Sequence, residues 1–142
     1  MCVKPSMLDG LKNGFAILQV KMGCQKMFLS LEALGNEVPD IRNYDVVYKA
    51  DYGEKEMDLD DPERLSSYLK DIFCIFNVDH PEDFTGHSLS VSDIVAVIRK
   101  GEVAYHFVDS FGFVELKDFG RPIIQIGNYK LCRKTHCFSC GI

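Results

Sequence analysis

The end of the chain holds a closely spaced group of potential metal ligands. Cys137 and Cys140 form a Cys-x-x-Cys pair, and Cys132 and His136 lie just before it. Thiolate sulfur and imidazole nitrogen are the usual ligands of structural zinc. Cys132, His136, Cys137 and Cys140 are therefore a candidate zinc site, although the protein is expected to act without a cofactor.

Two features of this tail favour other interpretations. All four ligands would come from nine residues, whereas structural zinc sites usually join two separated pairs, and His136 is adjacent to Cys137. The three cysteines could instead combine with Cys2, Cys24 or a distant histidine, or the tail could carry reduced thiols without metal. A thioredoxin-like redox role is disfavoured, because the Cys-x-x-Cys pair does not open a helix after a strand.

A second group contains the residue types that a hydrolase uses. Its members are Asp79, His80, His87, Ser88, Ser90, Ser92, Asp93, His106 and Asp109. A catalytic triad is defined by its geometry, however, and none of these serines stands in a Gly-x-Ser-x-Gly motif. We expect the group to form hydrogen bonds at loop and strand ends, and we expect no enzymatic activity. A small hydrolase that uses His106 and Asp109 is the alternative.

A third group is acidic. Between Asp51 and Thr85 the chain has eleven acidic and three basic residues, a formal charge of −8, and the remainder is basic because the whole chain carries −5. The group that we single out is Glu54, Glu56, Asp58, Asp60, Asp61 and Glu63. The spacing does not fit a calcium loop. These carboxylates form either a solvated face or a row that imitates DNA phosphates and binds the basic channel of a nucleic-acid enzyme. We predict the partner-binding role.

Composition limits the class of protein. The 142 residues, 46% of them hydrophobic, suffice for one domain with a core, so residues 1–142 are predicted to form a single domain. The net negative charge disfavours direct binding to nucleic acid, which depends on neutralising phosphates. No apolar stretch is long enough for a signal peptide or a membrane span. We therefore expect a cytoplasmic protein with reduced thiols and no membrane partner; the oligomeric state is left open.

Hydrophobic patterns predict the elements that position these groups. Strands are expected at Phe15–Lys21, Tyr44–Tyr48 and Pro122–Leu131, helices at Met27–Leu34 and Pro62–Phe76, and a central hairpin at Asp93–Asp109. Asp61 is the expected N-cap of the longer helix. Cys24 and Cys74 are expected in the core, and Phe111 to Phe113 at a buried hairpin end. The pattern predicts an α+β fold with a mainly antiparallel sheet and one principal helix.

Several segments resemble a known family. The two longest are FNVDHPEDFTGHSLSVSDIV, at residues 76–95, and YHFVDSFGF, at residues 105–113. Together with FAILQVK, LEALG and NYDVVY upstream, they are similar to the YodL-like domain family. The resemblance covers about residues 15–117. Residues 118–142 form a C-terminal extension, and the acidic insertion before Pro62 also departs from the family's pattern.

This resemblance implies a biological context more than a reaction. The family's members look like accessory domains of bacterial phages and mobile elements, often beside antirestriction proteins and without an agreed catalytic role. With the acidic group, it implies a non-catalytic inhibitor of a host defence nuclease, of the anti-CRISPR or antirestriction kind. The alternatives are a regulatory or scaffolding module stabilised by zinc, and the hydrolase described above.

Overall fold

The chain folds around one antiparallel sheet. The computed structural model describes residues 8, 10–24, 28–35, 38–117 and 119, together with the backbone of two later strands. Within these residues there are a five-stranded antiparallel sheet, one α-helix and a separate two-stranded sheet. The predicted α+β class with a mainly antiparallel sheet is confirmed.

The large sheet has three interior strands, and most of their residues are buried. Its strands are β1 (Gly14–Val20), β2 (Tyr44–Asp51), β3 (Ile94–Arg99), β4 (Glu102–Asp109) and β5 (Gly112–Leu116), in the spatial order β2-β1-β3-β4-β5. Every residue of β1 is buried, which explains its nearly continuous apolar sequence. Lys100 and Gly101 join β3 to β4 with φ values of 53° and 80°, as a two-residue hairpin turn of the primed type requires.

Each face of the sheet carries its own core. On one face, Tyr105 and Phe107 of β4 pack in a cluster with Leu11 and Phe119 from outside the sheet. On the other face, residues of β1 and β3 pack with the helix α1 (Pro62–Val78). Both faces of the sheet are therefore covered, and α1 covers only one of them.

Helix α1 begins where the sequence predicts. Asp61 Oδ1 accepts a hydrogen bond of 3.0 Å from the Glu63 N–H, and Pro62 occupies the first helical position, where its missing N–H costs nothing. Leu69, Ile72 and Phe76 are buried against the sheet. In the described part of the chain, no helix is long and apolar enough to cross a membrane.

The predicted single strand at Pro122–Leu131 is wrong. This range contains β6 (Ile123–Ile126) and most of β7 (Tyr129–Cys132), which lie side by side and pair in antiparallel fashion. An apolar run interrupted by Gly127-Asn128 matches two short strands as well as it matches one long strand.

The predicted helix at Met27–Leu34 is also wrong over its described part. Residues 28–35 form turns, and Phe28 has a φ of 64°, outside the helical range. The Phe28 N–H donates to Ser92 Oγ at 2.9 Å, and the Leu31 N–H donates to Asp109 Oδ1 at 3.1 Å. Because these two donors bind distant residues, tertiary contacts outweigh the local helix signal.

Two predictions of burial need correction. Cys74 is exposed on α1, and Cys24 is only partly buried. Phe111 is fully exposed and Phe113 is half-buried. Phe111 lies in the turn between β4 and β5, where none of the described residues covers its ring.

Candidate functional site

One end of the sheet contains a buried carboxylate in a polar network. Asp93, the residue before β3, is 1% exposed. Its Oδ2 accepts hydrogen bonds from the Ser90 N–H at 2.8 Å and from Gln19 Nε2 at 3.1 Å. The Gln19 amide also bonds the backbone of His87, donating to its oxygen and accepting from its N–H. We call Gln19, His87, Ser90, Ser92 and Asp93 the Asp93 cluster.

The His87 ring lies beside the buried carboxylate. Its Nδ1 is 2.7 Å from the carbonyl oxygen of Ser88, which can only accept, and 3.3 Å from Gln19 Nε2, whose two hydrogens are donated to other oxygens, so the contacts favour a proton on Nδ1. Its Nε2 lies 4.0 Å from Asp93 Oδ1, and neither atom has a hydrogen-bond partner among the described residues. Burial raises the pKa of Asp93 from 3.8 to about 7, although the Ser90 hydrogen bond and the charge of His87 oppose the rise. Asp93 therefore gains or loses its proton near neutral pH.

Backbone strain is concentrated at the same place. Phe28 and Ser92 have φ values of 64° and 85°, which residues with a side chain rarely adopt. The two are joined directly by the hydrogen bond from the Phe28 N–H to Ser92 Oγ, and the buried Tyr44 hydroxyl donates to the Ser92 carbonyl oxygen at 2.7 Å. Strained residues cluster at functional sites, so this end of the sheet is a candidate site.

A glycine makes room for the network. A Cβ atom at Gly86 would lie 2.1 Å from Gln19 Oε1, far inside van der Waals contact. Only glycine lets the backbone before His87 approach the Gln19 amide this closely. The glycine at this position is thus a requirement of the Gln19 hydrogen bonds.

The Asp93 cluster can bind a proton, but its groups face inward. The hydroxyl of Ser90 donates to the Ser88 carbonyl oxygen, and the hydroxyl of Ser92 accepts from Phe28. Both ring nitrogens of His87 face protein atoms, and Asp93 is buried. This arrangement suits holding residues 86–93 against β1 in a pH-dependent way.

His106 and Asp109, the pair considered for a hydrolase, contact different parts of the fold. His106 is 4% exposed, burial lowers its pKa, and its Nε2 has no hydrogen-bond partner in the described part of the chain. Asp109 instead accepts from the Leu31 N–H. Positions 106 and 109 differ in parity along β4, which places the two side chains on opposite faces of the sheet. Asp79 and His80 of the same predicted group are exposed after α1.

The six predicted partner-binding carboxylates are all exposed on one anchored stretch. Glu54, Glu56, Asp58, Asp60, Asp61 and Glu63 lie within residues 51–63, which we call the acidic segment. Asn13 Nδ2 donates to the Gly53 carbonyl oxygen at 2.9 Å, and Leu59 is buried in the core beneath α1. The helix cap at Asp61 fixes the other end. The backbone that presents these charges is therefore held in place.

Half of these carboxylates form ion pairs within the protein. Glu54 pairs with Lys12 at 2.6 Å, Asp60 with Arg99 at 3.0 Å, and Asp58 with Arg64. Glu56 and Glu63 have no ion-pair partner among the described residues. Because exposed ion pairs are worth only about 0–1 kcal/mol, a partner's cations can exchange for these internal ones.

The candidate zinc ligands cannot be compared with this geometry. Cys132 ends strand β7, and its side chain, like all of His136, Cys137 and Cys140, lies outside the described residues. Among the residues that are described, no group of three or more potential ligands could hold a metal ion. The zinc site stays a prediction from the sequence.

The sequence pattern indicated most of the Asp93 cluster but gave no notice of Gln19, one of its members, or of Phe28, which contacts it. Gln19 is the one polar residue in the otherwise apolar strand GFAILQV, and a polar residue in a buried strand signals a partner. Phe28, whose ring contacts the His87 ring at a centroid distance of 5.3 Å, carries no comparable signal. Its role depends on a strained backbone that only the fold reveals.

Comparison with known proteins supports the resemblance. The sequence model of the YodL-like domain family matches residues 14–119. This range contains all five strands of the large sheet, α1, the Asp93 cluster and the acidic segment. No curated protein and no solved structure matches the chain.

Proposed function

We propose that this chain, which belongs to the YodL-like domain family, acts by binding another protein without catalysis. The partner is a nuclease of a bacterial defence system, and binding inhibits it in the manner of an anti-CRISPR or antirestriction protein. The contact surface is the acidic segment, and the compartment is the cytoplasm of a bacterium that carries a phage or mobile element.

The main support for this function is that the acidic segment carries exposed carboxylates on a backbone that is held in place. Six exposed carboxylates lie within ten residues whose backbone is tied to Asn13, to the core through Leu59 and to α1 through Asp61. Ordering a flexible loop on binding would cost conformational free energy for each residue fixed. A segment that is already fixed avoids most of this cost, and so it is suited to a docking surface.

The charge of the segment suits a basic channel. Nucleases bind DNA through lysine and arginine residues that neutralise phosphates, and a row of carboxylates satisfies the same cations. Complementary charge accelerates encounter and makes it sensitive to salt. Binding at this surface therefore excludes DNA by occupying its site, and it needs no cofactor; a zinc ion in the tail would only add stability.

A regulatory or scaffolding module that uses the same surface is the second candidate. It shares the acidic segment but leaves the partner's activity intact. The inward-facing groups of the Asp93 cluster and the separation of His106 from Asp109 favour both binding functions over a hydrolase.

DNA-cleavage assays test the proposed inhibition. Purified CRISPR effector nucleases and restriction enzymes are titrated with the protein at about 50 mM and about 300 mM salt, which changes the screening length. We expect inhibition of at least one nuclease to be complete near one equivalent and to weaken at the higher salt. Absence of inhibition across the panel contradicts the inhibitor function and leaves the scaffolding role, and turnover of a substrate by the protein itself contradicts both.

A further inference from the structure

We propose that His87 and Asp93 form a pH-dependent switch, in which one shared proton keeps the loop of residues 86–92 closed against β1. When this proton is lost as the pH rises, the loop opens and releases the neighbouring residues 28–31. The switch is separate from the acidic segment, and it goes beyond the proposed inhibition.

The contacts of the His87 ring leave one position for the shared proton. Because Nδ1 donates to the Ser88 carbonyl oxygen at 2.7 Å, Nε2 of the neutral ring carries a lone pair, and it faces Asp93 Oδ1 at 4.0 Å. A proton on Nε2 places a cation opposite the carboxylate, and a proton on Oδ1 places a hydroxyl opposite the lone pair, so both arrangements are attractive. Without that proton, two acceptors face each other in the protein interior, which is unfavourable.

A change of tautomer does not replace the shared proton. If the ring hydrogen moved from Nδ1 to Nε2, the Nδ1 lone pair would face the Ser88 carbonyl oxygen at 2.7 Å. Gln19 Nε2, which lies 3.3 Å from Nδ1, donates its two hydrogens to the His87 carbonyl oxygen and to Asp93 Oδ2. Neither neutral tautomer therefore satisfies both ring nitrogens beside an ionised Asp93, and the closed loop requires the added proton.

Burial sets the direction of the pH dependence. Asp93 is 1% exposed, and burial raises its pKa from 3.8 to about 7, although the Ser90 hydrogen bond and the charge of His87 oppose the rise. The closed loop thus binds the proton more tightly than an open loop, in which water reaches the carboxylate. Closure is therefore progressively weakened as the pH rises from 3.8 to about 7, and it changes little above that value.

Two other titratable groups act at this position. Tyr44 approaches from β2, and burial, together with the charge of Asp93, holds the pKa of its hydroxyl far above the usual value. The hydroxyl therefore stays neutral and donates to the Ser92 carbonyl oxygen at 2.7 Å. Cys24, four residues after β1, acts in turn on Tyr44. Tyr44 is thus a fixed support for the loop at every pH at which Asp93 changes its charge.

The contacts of Asp93 with β1 and β4 are uncharged. From β1, the Gln19 amide donates to Asp93 Oδ2 at 3.1 Å, and from β4, the Val108 N–H donates to the Asp93 carbonyl oxygen at 2.8 Å. Neither of these groups titrates, so a change of pH acts on this contact through His87 and Asp93 themselves.

Loss of the proton affects two strained segments. The Ser90 N–H donates to Asp93 Oδ2, and Ser92 Oγ accepts from the Phe28 N–H at 2.9 Å. Ser92 and Phe28 have φ values of 85° and 64°, which only the surrounding contacts maintain. When an ionised Asp93 moves toward water, the residues before it relax, and the bond to Phe28 is lost with them.

Hydrogen exchange of single amides, followed by NMR at about pH 6 and about pH 8, tests the switch. The reporters are the N–H groups of Phe28, His87 and Ser90, which lie in the two segments. After correction for the intrinsic exchange rate, their protection should fall about tenfold between these pH values, because the pKa of the carboxyl differs between the closed and open loop. The Glu63 N–H, which Asp61 binds elsewhere in the fold, should show no such fall.

Variants identify the groups that hold the proton. Asp93→Asn cannot ionise, so the protection of the three reporters should be equal at both pH values. His87→Gln presents a side-chain NH₂ group to Asp93 at every pH, so the fall should be smaller than in the wild type. His80→Gln replaces an exposed histidine after α1, and this matched control should keep the fall of the wild type.

Three results would each overturn the switch. The first is equal protection of the wild-type reporters at the two pH values, and the second is an undiminished fall in Asp93→Asn. The third is protection of the reporters as high as that of the Ile72 N–H in α1, which would mean that their exchange requires unfolding of the sheet and helix together. The wild-type measurement needs no variant and no nuclease, so a failure of nuclease inhibition and a failure of the switch can be told apart.

Discussion

The Nε2 atom of His87 faces Oδ1 of Asp93 at 4.0 Å, and neither atom has a hydrogen-bond partner within the described residues. The remaining oxygen of Asp93 accepts from Gln19 and Ser90, so the carboxylate connects β1 to the loop that precedes β3. This loop and β1 are therefore joined by a group that titrates near neutral pH.

Replacing Asp93 by asparagine should change the pH dependence of stability. The folded protein keeps the Asp93 proton up to about pH 7, whereas the unfolded chain releases it near 3.8. The contribution of Asp93 to the free energy of unfolding thus falls as the pH rises between these values, and it is constant above them.

Asp93→Asn removes this dependence while keeping an oxygen that accepts from Gln19 and Ser90. Urea denaturation between pH 4 and pH 8 measures the free energy of unfolding of both proteins. As the pH rises, the value for the variant should increase relative to that for the wild type, by about 1 kcal/mol or more at pH 8. A constant difference between the two proteins would show that Asp93 is ionised in the folded state throughout.

Gly86→Ala should destabilise the protein through Gln19. The added methyl group would lie 2.1 Å from Gln19 Oε1, so the amide must leave its hydrogen bonds or the backbone must move. We expect a loss of about 2–3 kcal/mol in the free energy of unfolding. In the Gln19→Ala background the same change should cost much less, because the clash is absent; additive losses in this double-mutant cycle would place the cause elsewhere.

Asp61 caps α1 and also contributes one negative charge to the acidic segment. Two variants distinguish the cap from the charge. Asp61→Asn keeps a side-chain oxygen that can cap the helix but removes the charge, whereas Asp61→Ala removes both. Thermal unfolding should show a loss of about 1 kcal/mol for alanine and little change for asparagine. If the two variants melt alike, the Asp61 cap contributes nothing measurable to stability.

His106→Leu should leave the stability at pH 7 within about 1 kcal/mol of the wild type, because it replaces a buried nitrogen that lacks a partner. Burial depresses the pKa of His106 below 6.5, so below that pH the unfolded chain binds a proton that the folded protein does not. The stability of the leucine variant should therefore increase relative to that of the wild type as the pH falls from 7 to 5. Nuclease inhibition should be unaffected; its loss in a normally folded His106→Leu protein would support a catalytic role.

Sequence patterns predicted correctly the elements whose structure depends on residues that are close together in the chain. The Asp61-Pro62 start of α1 and the apolar runs of β1 and β3 depend on capping, proline geometry and burial of whole strands, all of which are legible in sequence. The acidic segment was likewise recognisable as an exposed stretch. Its anchoring through Asn13 was not, because that contact joins residues forty positions apart.

The features that the sequence did not predict depend on contacts between residues that are far apart in the chain. The segment around Phe28 has a helical pattern, yet its donors bond Ser92 and Asp109, more than sixty residues away. The proximity of Gln19 to His87 and Asp93 arises only when β1 pairs with β3. Residue types and local patterns indicated several members of the Asp93 cluster as candidates. They could not predict that these residues lie together, because their proximity depends on strand pairing.

Charge reversal in the acidic segment should abolish inhibition without unfolding the protein. The variant Glu54→Lys, Glu56→Lys, Asp58→Lys leaves the Asp61 cap and the buried Leu59 in place. We expect the inhibitory potency to fall at least tenfold. A control with the same change in net charge, Glu32→Lys, Glu82→Lys, Asp83→Lys, alters exposed residues elsewhere and should retain potency. Equal losses in the two variants would indicate a nonspecific effect of net charge.

The order in which a susceptible nuclease meets DNA and this protein tests the central claim most directly. If the acidic segment occupies the DNA channel, cleavage should be blocked when the protein is added before DNA and should proceed when the nuclease is already loaded with DNA. Equal inhibition in both orders, unchanged by salt and by the charge-reversal variant, would contradict competition with DNA through the acidic segment.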